Sequence, residues 1–349
     1  MYNDVMKFSS AKPGNHNELN DFLQGKGQYT SDIDMPGQLH ASFVRSPYAS
    51  ALIKKIDTQV ATAIPGVSLI LTGEDLVKAG VGQISALAMT LFKGTDGKPM
   101  RQAGIPVLAF PEVRHVGEAV ALVVATDAAT AQLAAEQLEI SWEVRTPVID
   151  PMQAIQISSP SLYTDCPNNI ALDWEDGNKS LSETAFSKAH HIESVELANP
   201  PLTACSIEPK AALANWDSSS QRFTLIASTQ GVMLVRKILS EQVFNMPPES
   251  IRVITPHVGG GFGVKVQTYA EYAAILFASR ELNKPVKWTA SRLECFLTDT
   301  HSRDSTLRAR MAFDEKGHIL GLEADVVWGI GAYTSTYVGI MATLNFKNC

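Results

Sequence analysis

Short apolar runs separated by turn-forming residues extend over the first part of the chain, a pattern typical of mixed α and β structure. Strands are predicted in LHASFV, ALIKKIDT, VSLILTG and PVLAF, and short helices in TQVATAIP and GEDLVKAG. The run GEAVALVVAT is mostly apolar and predicts a buried strand. A helix is predicted next in DAATAQLAAEQL, with Asp127 as its N-cap and with Ala128 and Leu133 among the residues of its packing face.

Prolines and many Ser, Asn and Asp residues occur in residues 146–179, which predicts a linker between two domains. Beyond it, a capping box at Ser180 and Glu183 predicts the start of a helix. Strands and amphipathic helices then continue to an Asp-Glu-Lys-Gly turn, which joins the two strands of a predicted hairpin. The predicted organisation is an α+β or mixed α/β fold with a flexible N-terminus, a first domain, a linker and a second domain, at residues 1–20, 21–145, 146–179 and 180–349.

The composition argues against several classes of protein. A formal net charge of −7 over 349 residues offers no basic surface for nucleic-acid phosphates or anionic lipid. The N-terminal stretch shows no apolar leader, and no apolar run approaches the roughly 20 residues that cross a bilayer, so we expect a cytoplasmic protein. The cysteines lie far apart without a C-x-x-C pair, so the sequence lacks the usual local ligands of an iron–sulfur cluster.

Residues 259–263 contain glycine at every position except Phe262 and lie between a β-branched run and an amphipathic run. A strand, glycines and a helix in this order aim backbone N–H groups at one point, which suits an anionic ligand. The spacing matches neither familiar nucleotide motif. Val264 or Val266 stands where a Rossmann fingerprint needs its last glycine, and Val266 follows Lys265 where a P-loop needs Ser or Thr. Three interpretations remain open: a phosphate cradle, a surface for a flat cofactor, and a tight turn.

Gln230 lies at a second junction between a strand and a helix, in the run LIASTQG. One interpretation is that Ser228 or Thr229 caps the helix and that Gln230 is a solvated residue of its first turn. The other is that Gln230 faces the same pocket as the glycine loop.

The histidines indicate no metal site on their own. His190 and His191 are adjacent in a predicted strand, so their side chains point to opposite faces and are poor ligands for one ion. His257 and His301 are predicted on loops, where a histidine is more often a hydrogen-bonding residue than a catalyst. No nucleophile elbow of the G-x-S-x-G type is present, and no pair of carboxylates stands out.

Several segments resemble, in order, the molybdopterin-binding large subunit of the xanthine dehydrogenase, aldehyde oxidase and aerobic carbon monoxide dehydrogenase family. The segments from QGKGQYTSDIDMPGQLHASFVRSPYASALIKKID to PVLAFPEVRHVGEAVALVVATDAATAQLAAEQLEISWE resemble its a/b hammerhead domain. The segments SIEPKAALANWD, STQGVMLVRKILSEQVF and VGGGFGVK resemble the first part of its molybdenum-cofactor-binding domain. With VGGGFGVK, the segment RLECFLTDTHSRDSTLRARMAFDEKGHILGLEADVVWGIGAY is most similar to the bacterial carbon monoxide dehydrogenase-like branch. The resemblance implies the hammerhead domain at 21–145 and an incomplete cofactor-binding domain at 180–349.

The resemblance also implies a cofactor and the residues that contact it. Gln230 matches the glutamine that hydrogen-bonds an oxo ligand of molybdenum, and Phe262 would add an apolar wall beside the metal. Gly260, Gly261, Phe262 and Gly263 match the loop that packs on the pterin. The implied cofactor is molybdopterin, in its cytosine dinucleotide form, with the metal held by the pterin dithiolene and by no protein side chain.

Departures from the family pattern limit what can be carried over. Val266 stands where xanthine-oxidising members have a glutamate that helps to bind purine, which argues against purine oxidation. Ile207-Glu208-Pro209-Lys210 stands where members often read M-E-P-R. The A-Y-R or A-F-R segment and the C-terminal glutamate that acts as general base are not found up to Cys349. The cofactor-binding domain is therefore expected to be truncated or completed by another chain.

The activity implied is oxidative hydroxylation of a carbon centre, in an aldehyde, an N-heterocycle or a substrate like CO, with oxygen derived from water. Two electrons would pass to separate iron–sulfur and FAD subunits. A separate chain would carry the second half of the molybdenum domain. Two alternatives stay open: a truncated product that acts at most as a binding or assembly module, and a nucleotide-phosphate-binding enzyme that uses the loop as a relative of the P-loop.

Overall fold

The structure is a computed structural model that describes residues 17–86 and 93–337. The predicted flexible segment 1–20 lies outside these residues except for its last four, which begin a helix, and the chain end at Cys349 also lies outside them. The described helices are α1 (Asn17–Leu23), α2 (Gln59–Thr62), α3 (Gly73–Lys78), α4 (Ala128–Glu136), α5 (Pro151–Ala154), α6 (Lys179–Ser187), α7 (Val232–Lys237), α8 (Ala270–Leu282) and α9 (Arg292–Thr298).

The strands of the described residues confirm most of the predicted pattern. They are β1 (Leu39–Arg45), β2 (Ala51–Asp57), β3 (Val67–Thr72), β4 (Glu112–Val113), β5 (Ala119–Ala125), β6 (Glu139–Val144), β7 (His191–Asn199), β8 (Ala211–Asp217), β9 (Arg222–Ala227), β10 (Ile251–Ile254), β11 (Val286–Thr289), β12 (Ser305–Phe313) and β13 (Ile319–Trp328). Of the helices listed above, none has the length and apolar character needed to span a bilayer.

The largest sheet has the strand order β10-β9-β8-β11-β1-β5-β3 and contains strands from both predicted domains. The connection is the parallel pairing of β1 with β11, in which Leu39 lies opposite Val286. β1 and β3 pair antiparallel with β5. The two regions therefore share one sheet and one main hydrophobic cluster, which includes Phe43 of the first region and Trp288 of the second.

Strand β5 is buried along its whole length, as its apolar run predicted. Because successive side chains of a strand point to opposite faces, Leu122 and Val124 join the main cluster, whereas Ala121 and Val123 join a second cluster beneath α4. Full burial of a Val or Leu side chain stabilises a fold by roughly 1.5–3 kcal/mol. The strand is thus the centre of the hammerhead region.

Helix α8 packs against β8 and β11 and is buried from Glu271 to Ser279. The Glu271 carboxylate lies 2.8 Å from the guanidinium of Arg45 in β1, which also lies 2.6 Å from Glu294 of α9. Burial is the largest single influence on Glu271 and opposes its ionisation, but the charges of Arg45 and Lys210 together with hydrogen bonds outweigh it and hold the pKa of Glu271 below its ordinary value. This ion cluster joins the hammerhead region to the helices of the second region.

Two three-stranded sheets complete the described fold, with the orders β4-β2-β6 and β13-β12-β7. The predicted hairpin is confirmed: β12 and β13 pair antiparallel from Ser305 opposite Trp328 to Phe313 opposite Ile319. Its turn is held by the Asp314 carboxylate, which accepts hydrogen bonds from the backbone N–H groups that follow it.

Two predictions in the hammerhead region are wrong in part. The segment PVLAF forms no strand, and it is bracketed by Pro106 and Pro111, which cannot donate to a sheet ladder. Asp127 does cap α4, accepting a 2.8 Å hydrogen bond from the third residue of the helix. Ala128 and Leu133, however, are exposed, because α4 buries the opposite side, which carries its other alanines.

The predicted capping box at Ser180 and Glu183 is also wrong, because the N-cap of α6 is Asn178, two residues before Ser180. The Asn178 side chain accepts a 3.0 Å hydrogen bond from the Leu181 backbone. Strand β11 and helix α9 were not predicted from the sequence. Residues 146–179 are mostly irregular but carry α5, and within them the ring of Tyr163 lies between two guanidinium groups.

Candidate functional site

Two neighbouring strand ends define the candidate site. β9 and β10 are parallel and in register, with Ile226 opposite Ile254, so their carboxyl ends meet at the same edge of the sheet. Gln230 follows β9, and the glycine loop at residues 259–263 follows β10. In parallel sheets, ligands usually bind where the carboxyl ends of strands meet. The fold therefore brings together the two junctions that the sequence singled out.

A hydrogen bond joins Gln230 directly to the glycine loop. The backbone N–H of Gly263 donates to Oε1 of Gln230 at 2.9 Å, and the backbone N–H of Gln230 donates to the Lys265 carbonyl at 2.9 Å. The side-chain amide must present its oxygen to Gly263 because a backbone N–H can only donate. The two N–H groups of Nε2, which bond to none of the described residues, are therefore available to an acceptor on a ligand.

Gly261 packs so closely on Gln230 that any larger residue would displace the Gln230 side chain. A Cβ added at Gly261 would lie 2.5 Å from Cδ of Gln230. Gly260 and Gly263 have φ values of 102° and 84°, in the left-handed region that favours glycine. The loop therefore needs glycine to approach Gln230 and to turn beside it.

Phe262 is the only non-glycine residue of the loop, and its side chain is 75% exposed. Its φ of 48° is uncommon for a bulky residue and is strained. The exposed ring beside the Gln230 contact offers an apolar surface to a ligand. This is the position in which the sequence placed an apolar wall beside a cofactor.

A buried ion pair holds the loop against the sheet. Oε2 of Glu208 lies 2.7 Å from Nζ of Lys265 and accepts hydrogen bonds from Ser228 Oγ at 2.8 Å and Gly259 N–H at 2.7 Å. The side chains of Lys265 and Glu208 are only 1% and 7% exposed. The Glu208 carboxylate thus joins Ser228 after β9 to Gly259 at the start of the loop and to Lys265 just beyond its end.

Sequence reasoning missed this pair. Glu208 appeared only as part of a family motif, and Lys265 only as a mismatch to the P-loop. The two residues are far apart in the sequence, and no local pattern shows that either is buried. A Glu-Pro step immediately before a buried strand was the one available signal, because a charged residue at such a place needs a partner.

Lys210, in the same motif as Glu208, is also buried and paired. Its Nζ lies 2.9 Å from the Asp299 carboxylate, donates to Thr298 Oγ1 at 2.7 Å, and lies 3.9 Å from the centre of the Tyr269 ring. Burial raises the pKa of Tyr269 well above its ordinary value. The lysine at the position where family members often have arginine is therefore held by Asp299, Thr298 and the Tyr269 ring.

The other sequence candidates lie apart from this cluster or serve structural roles. Nδ1 of His257 accepts a hydrogen bond from the Gln28 backbone at 2.9 Å. The His191 ring pairs with Glu193 at 2.7 Å on an exposed strand. Among residues 17–86 and 93–337, no group of three or more His, Cys, Asp or Glu side chains could hold a metal ion. Val266 lies partly buried in the short turn after the loop.

The arrangement fits a flat cofactor with polar edges. Gly261 leaves room for close backbone approach, Phe262 offers an apolar surface, and Gln230 offers amide donors, all within one loop and its neighbour. Molybdopterin has a planar pterin and anionic or oxo oxygens that such donors recognise. No protein ligand to a metal is required if the pterin carries it.

Comparison with known proteins agrees with this fit. A family profile described as Molybdopterin cofactor-binding domain matches residues 162–349, and one described as Aldehyde oxidase and xanthine dehydrogenase, a/b hammerhead domain matches residues 24–146. The chain is 32% identical over 324 residues to the carbon monoxide dehydrogenase large chain of Hydrogenophaga pseudoflava, covering 89% of this chain and 39% of that one. It is 34% identical over 311 residues to the nicotine 6-hydroxylase large subunit of Paenarthrobacter nicotinovorans, covering 89% and 37%.

A solved structure of reconstituted CO dehydrogenase from Oligotropha carboxidovorans superposes with a TM-score of 0.80 at 31% identity, covering 88% of this chain and 38% of that one. The chain thus spans under two-fifths of the length of these relatives. The predicted fold class, a hammerhead domain followed by the first part of a cofactor-binding domain, is confirmed. The chain belongs to the molybdopterin cofactor-binding family that includes the xanthine dehydrogenases, aldehyde oxidases and carbon monoxide dehydrogenase large chains.

Proposed function

We propose that this chain is the N-terminal portion of the catalytic subunit of a molybdenum hydroxylase and that it forms one wall of the cofactor site. The observation that carries the proposal is the contact between Gln230 and the glycine loop, in which Gly263 N–H donates to Oε1 while Nε2 bonds to no residue in the described ranges. Family membership supplies the cofactor class.

When bound, molybdopterin supplies a molybdenum centre that oxidises a carbon centre with oxygen derived from water. The residues of this chain bind and orient the cofactor. Gln230 would donate through Nε2 to an oxygen of the cofactor, the backbone at residues 260–263 would lie against the pterin, and Phe262 would exclude water from one side. The general-base glutamate and the A-Y-R segment are assigned to polypeptide outside these 349 residues.

The overall reaction consumes one water and releases two electrons and two protons for each oxygen transferred to the carbon of the substrate. We assign the electrons to iron–sulfur and FAD partner subunits, because the cysteines of this chain show no cluster spacing. The proposed cofactor form is the cytosine dinucleotide, and the proposed location is the cytoplasm. A separate chain carrying the second half of the molybdenum domain is a further proposed partner.

The substrate class proposed is an aldehyde, an N-heterocycle or a small carbon substrate like CO. The names of two relatives, a carbon monoxide dehydrogenase and a nicotine 6-hydroxylase, support this range. Val266 occupies the position where purine-oxidising members carry a glutamate, and an apolar side chain there cannot hydrogen-bond a purine. Xanthine is therefore excluded from the proposal.

The alternative is a truncated, non-catalytic fragment that acts at most as a binding or assembly module. The two functions differ in cofactor content. The tagged chain is isolated from its own cells together with associated proteins, and molybdenum is measured by mass spectrometry and pterin by fluorescence after oxidation. Molybdenum and pterin that co-purify with the chain support the hydroxylase, and their absence supports the module.

Matched glutamine variants test the role of the proposed contact. Gln230→Ala is expected to lower the molybdenum content of the isolated protein, because the Gly263 N–H loses its acceptor and the ligand loses its donor. Gln59→Ala removes an exposed glutamine from α2 in the hammerhead region and is expected to leave that content unchanged. Equal molybdenum contents in the two variants would contradict the assignment of Gln230.

A further inference from the structure

The sheet β13-β12-β7 presents two chemically different faces, because side chains alternate across a strand. One face is covered by helix α6. Phe186 of that helix lies under the guanidinium of Arg310 at 4.7 Å, and a Cβ added at Gly321 would lie 3.0 Å from the Cβ of Ala185. We call this side the helix face.

The opposite side carries apolar side chains on all three strands, and we call it the apolar face. Leu197, Leu307 and Val326 form one row across the sheet, and Val195, Ala309 and Ala324 form the next. In the third row Met311 lies between Leu322 and Glu193, so the apolar face ends there on β7. Val195, Leu197 and Leu322 are 48%, 50% and 46% exposed. None of the hydrophobic clusters formed by the described residues includes these side chains.

The size of the apolar face calls for a covering layer. Strands about 4.8 Å apart with about 3.4 Å per residue make it roughly 10 Å by 14 Å between its outer Cα atoms. A sheet that is apolar on one face is stable when a second layer packs against it about 10 Å away. The largest contiguous apolar patch on a soluble protein is often an interaction site.

The lengths of the relatives identify the occupant. This chain covers 39% of the Hydrogenophaga pseudoflava large chain and 38% of the Oligotropha carboxidovorans chain, so large chains of the family carry much further polypeptide. We propose that the apolar face binds an apolar layer of that remaining part of a family large chain, as a continuation of this chain or as a separate subunit. The inference depends on family membership and not on the proposed catalytic function.

Site-specific photo-crosslinking tests the occupant. Val195→p-benzoyl-phenylalanine places a crosslinker on the apolar face, and Ile192→p-benzoyl-phenylalanine places one on the helix face of the same strand, at a similar exposure of 39%. Each protein is irradiated in its own cells and the crosslinked peptides are identified by mass spectrometry. We expect a crosslink from position 195, and not from 192, to sequence homologous to the unmatched part of the relatives' large chains.

A crosslink within one polypeptide would show that the layer continues this chain, and one between polypeptides would show a separate subunit. A crosslink to a second copy of this sheet, to a protein of another family, or to nothing would overturn the proposal. If molybdenum is present without the expected crosslink, the proposed function stands and the apolar face is wrong. If the expected crosslink forms but no molybdenum is present, the proposal for the apolar face stands and the proposed function is wrong.

A charge substitution gives a second readout. Val195→Lys is expected to reduce co-purification of that polypeptide about tenfold or more, because a lysine at the centre of an apolar contact must be desolvated. The Ile192→Lys variant is expected to co-purify with that polypeptide as the original protein does. Both positions are at least 39% exposed, so both variants should fold, which circular dichroism checks. Equal retention in the two variants would overturn the proposal.

Discussion

Replacing Lys265 with methionine is expected to destabilise the protein severely, because the Glu208 carboxylate stays buried without its cation. The two groups lie 2.7 Å apart, with side chains 1% and 7% exposed. Removing one partner from a buried pair costs about 3–5 kcal/mol of unfolding free energy. Methionine matches the lysine stem in length, so little of this loss comes from a cavity. Urea unfolding, monitored by tryptophan fluorescence, measures the change in unfolding free energy.

Two further variants complete the test. The double variant Glu208→Gln, Lys265→Met removes both charges at similar volume and should recover most of the lost stability. Lys316→Met changes an exposed lysine in the β12–β13 turn and should stay within about 0.5 kcal/mol of the original protein. A Lys265→Met variant as stable as Lys316→Met, or a double variant less stable than Lys265→Met alone, would contradict the stabilising role of the buried pair.

Three other perturbations follow from the described contacts. Gly261→Val should displace Gln230, whose Cδ lies 2.5 Å from the added Cβ, and should abolish pterin retention measured by fluorescence. Phe262→Ala removes a side chain that is 75% exposed, so stability should change by less than about 0.5 kcal/mol while pterin retention falls; an unchanged retention would contradict its role. Since Arg45 holds the pKa of Glu271 below its ordinary 4.5, that pair stabilises above about pH 4.5 and its contribution is lost as pH falls through the lowered pKa. Unfolding free energies at about pH 7 and about pH 4 should therefore differ less in Glu271→Gln than in the original protein.

Local pattern was enough for elements whose signal is contained in a few neighbouring residues. The run that forms β5 is apolar throughout, Asp127 caps the helix after it, and the turn at Asp314 joins β12 to β13. Helix α4 shows the limit of such reasoning. Its alanines are compatible with several packing faces, so the sequence did not reveal that Leu133 points to solvent.

Long-range pairing could not be predicted from the sequence. The short strand β11 is placed by its pairing with β1 and β8, and nothing within Val286–Thr289 indicates those partners. The candidate site divides in the same way. The glycines and Gln230 were found because their types and junction positions are unusual, whereas the pair of Glu208 and Lys265 depends on a contact between distant segments.

The most direct test of the account is a density map of the assembly isolated from its own cells, in a sample with about one molybdenum per chain. We expect a pterin packed against Gly260, Gly261 and Phe262, with Nε2 of Gln230 about 3 Å from an oxygen of the cofactor. A cofactor located elsewhere on the assembly, with the Gln230 amide facing solvent, would contradict it.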